Sequence, residues 1–285
     1  MSKPLYKEKF RDWTIPGPIA PGSLGNGPEP EEGETLDAIS GHFRLFQLKK
    51  GHRFSTDDLL TAWYATSWCP CAETALDLGS GIGTVATVMT WRLPGLRLVT
   101  VEAQEESLRL AMKSVHWNGT QDRVDLRQGD FRDEGVISTE EKFDLVTGSP
   151  PYFPTGSGLE GDHPQKVACR FELRGDVSDY CTTAIKHMKP GGTFAIVFPI
   201  TPGEQHDRVK QAATNAGLSI IRMRPIIFRE TERPLIGVFI MMRSEDLPES
   251  SRSTCWEEPP LTIRDKEGQI HPEYAAVKLS FGFPP

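Results

Sequence analysis

The sequence predicts an α/β fold, doubly wound about a mostly parallel sheet of seven strands with an antiparallel hairpin at one edge. Three observations carry this. Short apolar runs at residues 74–78, 96–101, 124–126, 143–146 and 193–198 alternate with helical spacing at 84–91, 105–117, 179–188 and 204–215. Such alternation implies a parallel sheet covered on both faces. The last two apolar runs, 218–224 and 235–241, have no helix between them and should therefore pair antiparallel. Finally, the first run leads straight into Gly79-Ser-Gly81-Ile-Gly83, a glycine turn where a strand yields to a helix.

Each element has its own signal. Thr-Ala-Leu-Asp-Leu at 74–78 reads as a short buried strand, and the helix at 105–117 carries Leu108, Leu110, Ala111, Met112 and Val115. The helix at 179–188 should stop at Lys189-Pro-Gly-Gly192, with a strand resuming at residue 193, and Gly217 should end the helix at 204–215. Residues 13–34 hold Pro16-Gly17-Pro18, Pro21-Gly22 and Gly25-Asn26-Gly27, an irregular or mobile composition. A second irregular stretch, 244–260, sets off a tail. The expected organisation is an extension at 1–40, one catalytic domain at 41–245 and a tail at 246–285 packed on it.

Composition excludes several classes. Of 285 residues, 38% are hydrophobic and 25% charged, as in an ordinary globular protein. No apolar run is long enough to span a membrane, and the first eleven residues lack the apolar core of a secretory signal. The cysteines at 69, 71, 169, 181 and 255 are odd in number and scattered, and Cys69-Pro-Cys71 is too tight for a zinc site. Free thiols, no metal, a cytoplasmic location and a monomer are expected. A net charge of −7 argues against a broad nucleic-acid surface, although Lys49, Lys50, His52 and Arg53 form one basic cluster and Lys166, Arg170 and Arg174 another. Either cluster also fits a solvated face.

The chemistry gathers at expected strand ends. Asp77 precedes Gly79, Gly81 and Gly83, whose spacing lets a ligand approach the backbone. A carboxylate there suits the cationic amino group of a methionine moiety and would repel a pyrophosphate, which favours S-adenosyl-L-methionine over a dinucleotide. Glu102, 19 residues past Gly83, is placed to bind both ribose hydroxyls, or is a surface carboxylate at a strand end. Asp130 is placed to accept from an adenine amine, and Phe131 either packs on that ring or joins the core. After the fourth strand come Ser149-Pro150-Pro151-Tyr152 and Phe153. The two prolines make a rigid elbow with free carbonyls. Ser149 and the Pro150 carbonyl can accept from a planar amine lying on Tyr152, with Pro151 and Phe153 beside it. Lys166 and Arg170 follow on the next loop and offer positive charge there.

With these features in order, the chain resembles the class I methyltransferases, and within them the adenine-N6 enzymes with (Asn/Asp/Ser)-Pro-Pro-(Tyr/Phe) motifs. More closely, it resembles bacterial enzymes that methylate the adenine 3′ of the anticodon in a valine tRNA. Four segments within residues 40–285 carry the closer match. They are Gly-His-Arg-Phe54-Ser-Thr-Asp57-Asp-Leu-Leu at 51–60; Val101-Glu-Ala-Gln104 through Asn118 to Val124; Ala168-Cys-Arg170-Phe-Glu172; and Pro260-Leu-Thr-Ile263 through Gly268, His271 and Glu273. The resemblance implies that Phe54 and Asp57 help to close over the cofactor. Ser149 departs from the family, which usually carries Asn there.

The resemblance implies a cytoplasmic enzyme that transfers a methyl group to adenine N6 in RNA, most simply tRNA. The base would be flipped out and stacked on Tyr152. Two rivals are methylation of a protein glutamine amide and a catalytically silent cofactor-binding scaffold.

Overall fold

The computed structural model describes residues 7–10, 12–154, 165, 167, 171–201 and 205–284. Two short strands, β1 (Lys9–Phe10) and β2 (Trp13–Thr14), pair with each other, and β3 (Glu34–Ser40) pairs antiparallel with β4 (Phe43–Leu48). Helix α1 (Thr56–Trp68) leads into β5 (Thr74–Leu78), α2 (Thr84–Arg92), β6 (Arg97–Glu102), α3 (Glu105–Asn118), β7 (Val124–Gln128) and β8 (Phe143–Gly148). Then come α4 (Val177–His187), β9 (Met188–Pro199), α5 (Gln205–Ala216), β10 (Leu218–Ile227) and β11 (Ile236–Arg243). The tail adds β12 (Trp256–Glu257), β13 (Leu261–Thr262) and α6 (Pro272–Leu279).

The sheet runs β7-β6-β5-β8-β9-β11-β10, parallel from β7 to β9, with β11 antiparallel to both β9 and β10. The expected edge hairpin is therefore present, with β11 inserted between β9 and β10. The expected count of seven strands becomes nine, because β12 and β13 add in parallel to the outer side of β10. A lone outer strand would expose unpaired backbone groups, and the tail covers them.

The middle strands are buried on both faces, as parallel strands between helical layers must be. Leu76, Leu78, Val101, Val146 and Ile196 are almost wholly shielded, each side chain contributing ~1.5–3 kcal/mol. One core joins α1, α2 and part of α3 to the β3–β4 hairpin and the tail, and the other joins α4 and α5 to the opposite face. Helix α1 starts at a reciprocal cap. The Ser55 side chain accepts from the Asp58 backbone, while the Asp58 carboxylate accepts from Ser55.

The stop at Lys189-Pro-Gly-Gly192 takes another form. Strand β9 begins at once with Met188, opposite Phe143, and its register slips before Thr193 meets Leu145. The proline and glycines thus bulge within the strand. The boundary expected at residue 40 falls inside the β3–β4 hairpin. Upstream of it, Gly22 lies so close to the Trp117 indole that a Cβ would meet the ring at 2.4 Å. The tail's Leu261, Ile263 and Phe281 are buried in the first core. No described helix is long and apolar enough to cross a membrane, and Cys69, Cys71, Cys181 and Cys255 are free thiols.

Candidate active site

The carboxyl ends of β5, β6, β7 and β8 open into a cavity of about 480 Å³, within the usual range for small-ligand sites. Asp77, Gly79, Gly81, Glu102, Asp130 and Phe131 line it from the first three strand ends. Ser149, Pro150, Pro151, Tyr152 and Phe153 line it from the end of β8, and Asp57 closes it from α1.

Asp77 is 1% exposed. Its Oδ1 accepts from Thr147 Oγ1 at 2.8 Å, while its Oδ2 has no hydrogen-bond partner among the described residues. Burial, with the charges of Asp58 and Glu102, pushes this carboxyl up to about 7. An orphaned buried acceptor of this kind fits a cationic donor. Glu102 is also buried, and burial raises its pKa. Its Oε2 accepts from the Gly81 backbone at 2.7 Å and its Oε1 from Gln104 at 2.6 Å. These bonds fix the carboxylate and leave further lone pairs for a pair of hydroxyls.

The glycines divide their work. A Cβ at Gly81 would meet nothing within 4 Å, so its backbone is open to a ligand. At Gly79, φ is +61° and a Cβ would lie 2.3 Å from the Tyr180 hydroxyl. Gly83 does not line the cavity. It caps α2 in the left-handed region, where a Cβ would press on Ala111 at 3.3 Å.

Asp130 reaches the wall, but its carboxylate is gripped by Arg132 at 2.9 and 2.6 Å, which holds its pKa down. Phe131 lines the cavity and also joins the second core, packed edge-on against Tyr180 at 4.6 Å. Tyr152 stands edge-on to Phe198 at 5.8 Å, and its hydroxyl donates to Asp57 Oδ2 at 2.8 Å. Burial pushes Asp57 up to about 6, with Asp58 adding to the shift and the Tyr152 hydroxyl opposing it.

Phe54 is elsewhere. It packs on the first core and lines a second cavity beyond the start of α1. Lys166 and Arg170 lie outside the described residues.

Sequence reasoning missed Asp58, His52, Tyr180 and the inward placement of Arg174, all on the cavity wall. Asp58 faces the Ser149 hydroxyl, which helps to hold it ionised against burial, while Ser149 Oγ has no well-aligned hydrogen bond of its own. The spacing Ser55-x-x-Asp58, a helix-capping pattern, would have placed Asp58 at the head of α1. Five carboxyl groups thus line one cavity, and burial has raised four of them, Asp57, Asp58, Asp77 and Glu102, while Arg132 holds the fifth, Asp130, down. The arrangement favours a ligand carrying positive charge.

Comparison with known proteins agrees with this geometry. The family model for the methyltransferase small domain matches residues 56–205, more than half of the chain. The chain belongs to that methyltransferase family.

A protein of Tolumonas auensis named tRNA1(Val) (adenine(37)-N6)-methyltransferase is 24% identical over 242 residues, covering 84% of this methyltransferase and 93% of the relative. A protein of the same name from Bacteroides thetaiotaomicron is 29% identical over 200 residues, covering 67% and 77%. Among solved structures, a predicted O-methyltransferase from Agrobacterium tumefaciens superposes with a TM-score of 0.59 at 16% identity, covering 81% of this chain and 99% of that one. A modification subunit of a putative type I restriction enzyme from Vibrio vulnificus gives 0.54 at 13% identity, covering 81% and 52%. Both share the fold.

Proposed function

We propose that this methyltransferase uses S-adenosyl-L-methionine to methylate the exocyclic N6 amine of an adenine in tRNA. The observation that carries the reading is the cavity itself. Along the strand order it runs from a ribose-ready Glu102 on β6, past the orphaned buried carboxylate of Asp77 on β5, to Ser149-Pro150-Pro151-Tyr152 after β8. The relatives' shared name supports adenine N6 and tRNA as the acceptor.

The cofactor, when bound, would supply an electrophilic methyl group on a cationic sulfonium, which leaves as the neutral thioether when the methyl–sulfur bond breaks. Asp77 Oδ2 would hold its ammonium, Glu102 its ribose hydroxyls, and Gly79 and Gly81 leave the backbone room beneath it. Phe131 offers a ring face for the adenine. Asp130, though also bonded to Arg132, keeps acceptor capacity on the cavity wall for the adenine amine.

At the acceptor end, the Pro150 carbonyl and Ser149 Oγ accept the two N–H bonds of the target amine. Those bonds turn its lone pair out of ring conjugation and aim it along the cavity. Tyr152, anchored through its hydroxyl to Asp57, supports the base, with Pro151 and Phe153 beside it. Stacking is worth ~1–3 kcal/mol per base, comparable to the cost of extruding a base from a loose loop. Asp58 supplies what Ser149 lacks in charge. As the new N–C bond forms, the proton leaving the nitrogen passes to Ser149 Oγ while the hydroxyl proton passes to the Asp58 carboxylate. The serine departure from Asn is thus compensated from α1. Positioning and electrostatics supply the rest of the acceleration.

A lysate given labelled methyl donor and the purified protein tests the reading. Label in the tRNA fraction as N6-methyladenosine is the expected result, and label confined to protein glutamine amides contradicts it.

A further inference from the structure

A second cavity, of about 530 Å³, opens on the far side of the α1 N-terminus. It shares Ser55 with the first, and Ser55 caps the same turn whose Asp58 faces Ser149. It therefore adjoins the acceptor end of the active site, away from the Glu102 and Asp130 end. The β10–β11 connection contributes Phe228 and Arg229 to its walls; the tail contributes Arg264, Tyr274, Lys278 and Phe283.

The side chains there are unusual for this chain. Three cations face a single carboxylate, Glu232, in a protein whose net charge is −7. Elsewhere Arg53, Arg109, Arg127 and Arg132 are each held by carboxylates. Arg229, Arg264 and Lys278 have no carboxylate within 4.0 Å among the described residues. Arg264 donates to the Gly268 carbonyl at 2.9 Å, which steadies its guanidinium, and the Lys278 ammonium lies 5.7 Å from the Phe283 ring centre. Phe54, Phe228 and Phe283 are half-buried, so each shows part of a ring to the opening.

Aromatic faces interleaved with cations that no carboxylate neutralises suit a nucleic-acid strand, the rings taking bases and the cations taking phosphate. We propose that this second cavity holds the RNA strand next to the target adenine, seating a neighbouring base on Phe228 and Phe283 and its phosphates at Arg229 and Lys278. The inference rests on the RNA reading of the active site and adds a place where substrate is held apart from the reacting atoms. It also gives Phe54 a different neighbourhood from the cofactor contact its motif suggests.

The test uses the full chain and a fluorescently labelled anticodon stem-loop RNA, read by anisotropy across a salt series, with cofactor affinity measured by calorimetry on the same samples. The R229Q/K278Q variant should bind the RNA at least tenfold more weakly and lose about 1.4–1.8 from the slope of log affinity against log salt, since each phosphate contact contributes ~0.7–0.9. Its cofactor affinity should be unchanged, which shows that the fold is intact. F228A should lose about five- to a hundredfold in affinity with the slope kept, as stacking is uncharged. Wild-type protein that binds no RNA, or an R229Q/K278Q variant with unchanged affinity and slope, overturns the proposal. RNA binding that these variants weaken, in a protein that transfers no methyl group to RNA, upholds the second cavity and defeats the adenine reading alone.

Discussion

The proposed contact between Asp77 and the cofactor's ammonium would make binding a proton-linked event whose size can be worked out. Its carboxyl is 1% exposed, has one orphaned oxygen and titrates at about 7 in the empty protein. At pH 7 about half of the molecules therefore carry a proton there, and an arriving ammonium must displace it. Binding should release about half a proton at pH 7 and about a tenth at pH 8. Affinity should weaken about fivefold between pH 7 and pH 6, the ratio of ionised fractions. Calorimetric titration in buffers of different ionisation heat reads both quantities.

The isosteric Asp77→Asn variant keeps an acceptor for Thr147 and removes the charge. It should bind cofactor at least a hundredfold more weakly, with no proton release. Stability should move the other way. An acid with a raised pKa in the folded state binds its proton more tightly there than in the unfolded chain. Stability therefore falls as pH rises from about 4 to about 7 and then levels off, a cost of ~4 kcal/mol for three units. The empty Asn variant should lack that decline and melt several degrees higher than wild type at pH 8. Unaltered cofactor affinity in the variant, or wild-type binding that releases no proton at pH 7, would refute the reasoning.

Three further outcomes follow from the acceptor end and the glycine turn. Tyr152→Phe keeps the ring on Phe198 but removes the donor to Asp57, a bond to a charged group worth ~1.5–3 kcal/mol. Single-turnover transfer should slow about tenfold or more, Asp57 should titrate above about 6, and Tyr152→Ala should abolish transfer with cofactor affinity kept. Asp58→Asn and Ser149→Ala should each lower kcat by ~10²-fold with KM little changed, and the double variant should be no worse than either. Other groups that could shape the pH profile around Asp58 are Asp57 and His52 on the same side, Asp77 on β5 and Tyr152 after β8. The single variant should lose one limb of that profile and Ser149→Asn should restore rate to it; additive losses in the double variant would separate the two residues. Gly79→Ala sets a methyl 2.3 Å from the Tyr180 hydroxyl at φ +61°, so it should cost ~1–3 kcal/mol in denaturant unfolding and weaken cofactor binding.

The parallel half of the sheet was legible because buried strands announce themselves locally, as Leu76 and Leu78 do in a run bounded by glycine. The gathering of Asp77, Glu102, Asp130 and Ser149 on one cavity followed from that order. What stayed hidden depends on distant partners. Strands β12 and β13 have two residues each and exist only through β10, and β3 begins at Glu34, the last residue of the stretch read as irregular, with only β4 beside it to pair. Gly191 and Gly192 signalled a stop because a bulge and a loop need the same backbone freedom. The grip of Arg132 on Asp130 was hidden as well, because nothing in the chain's order says that a side chain two residues on folds back onto it. Asp58 was overlooked beside Asp57, although its capping spacing was in plain view.

The central claim is transfer to adenine N6 in tRNA. Unmodified valine tRNA, with adenine or with guanine at the position 3′ of the anticodon, incubated with the protein and labelled S-adenosyl-L-methionine and analysed by nucleoside mass spectrometry, tests it most directly. N6-methyladenosine that forms on the adenine transcript, maps to that position and is absent from the guanine transcript is the result predicted. Equal label in both transcripts, or none in either while a protein amide is methylated, would contradict it.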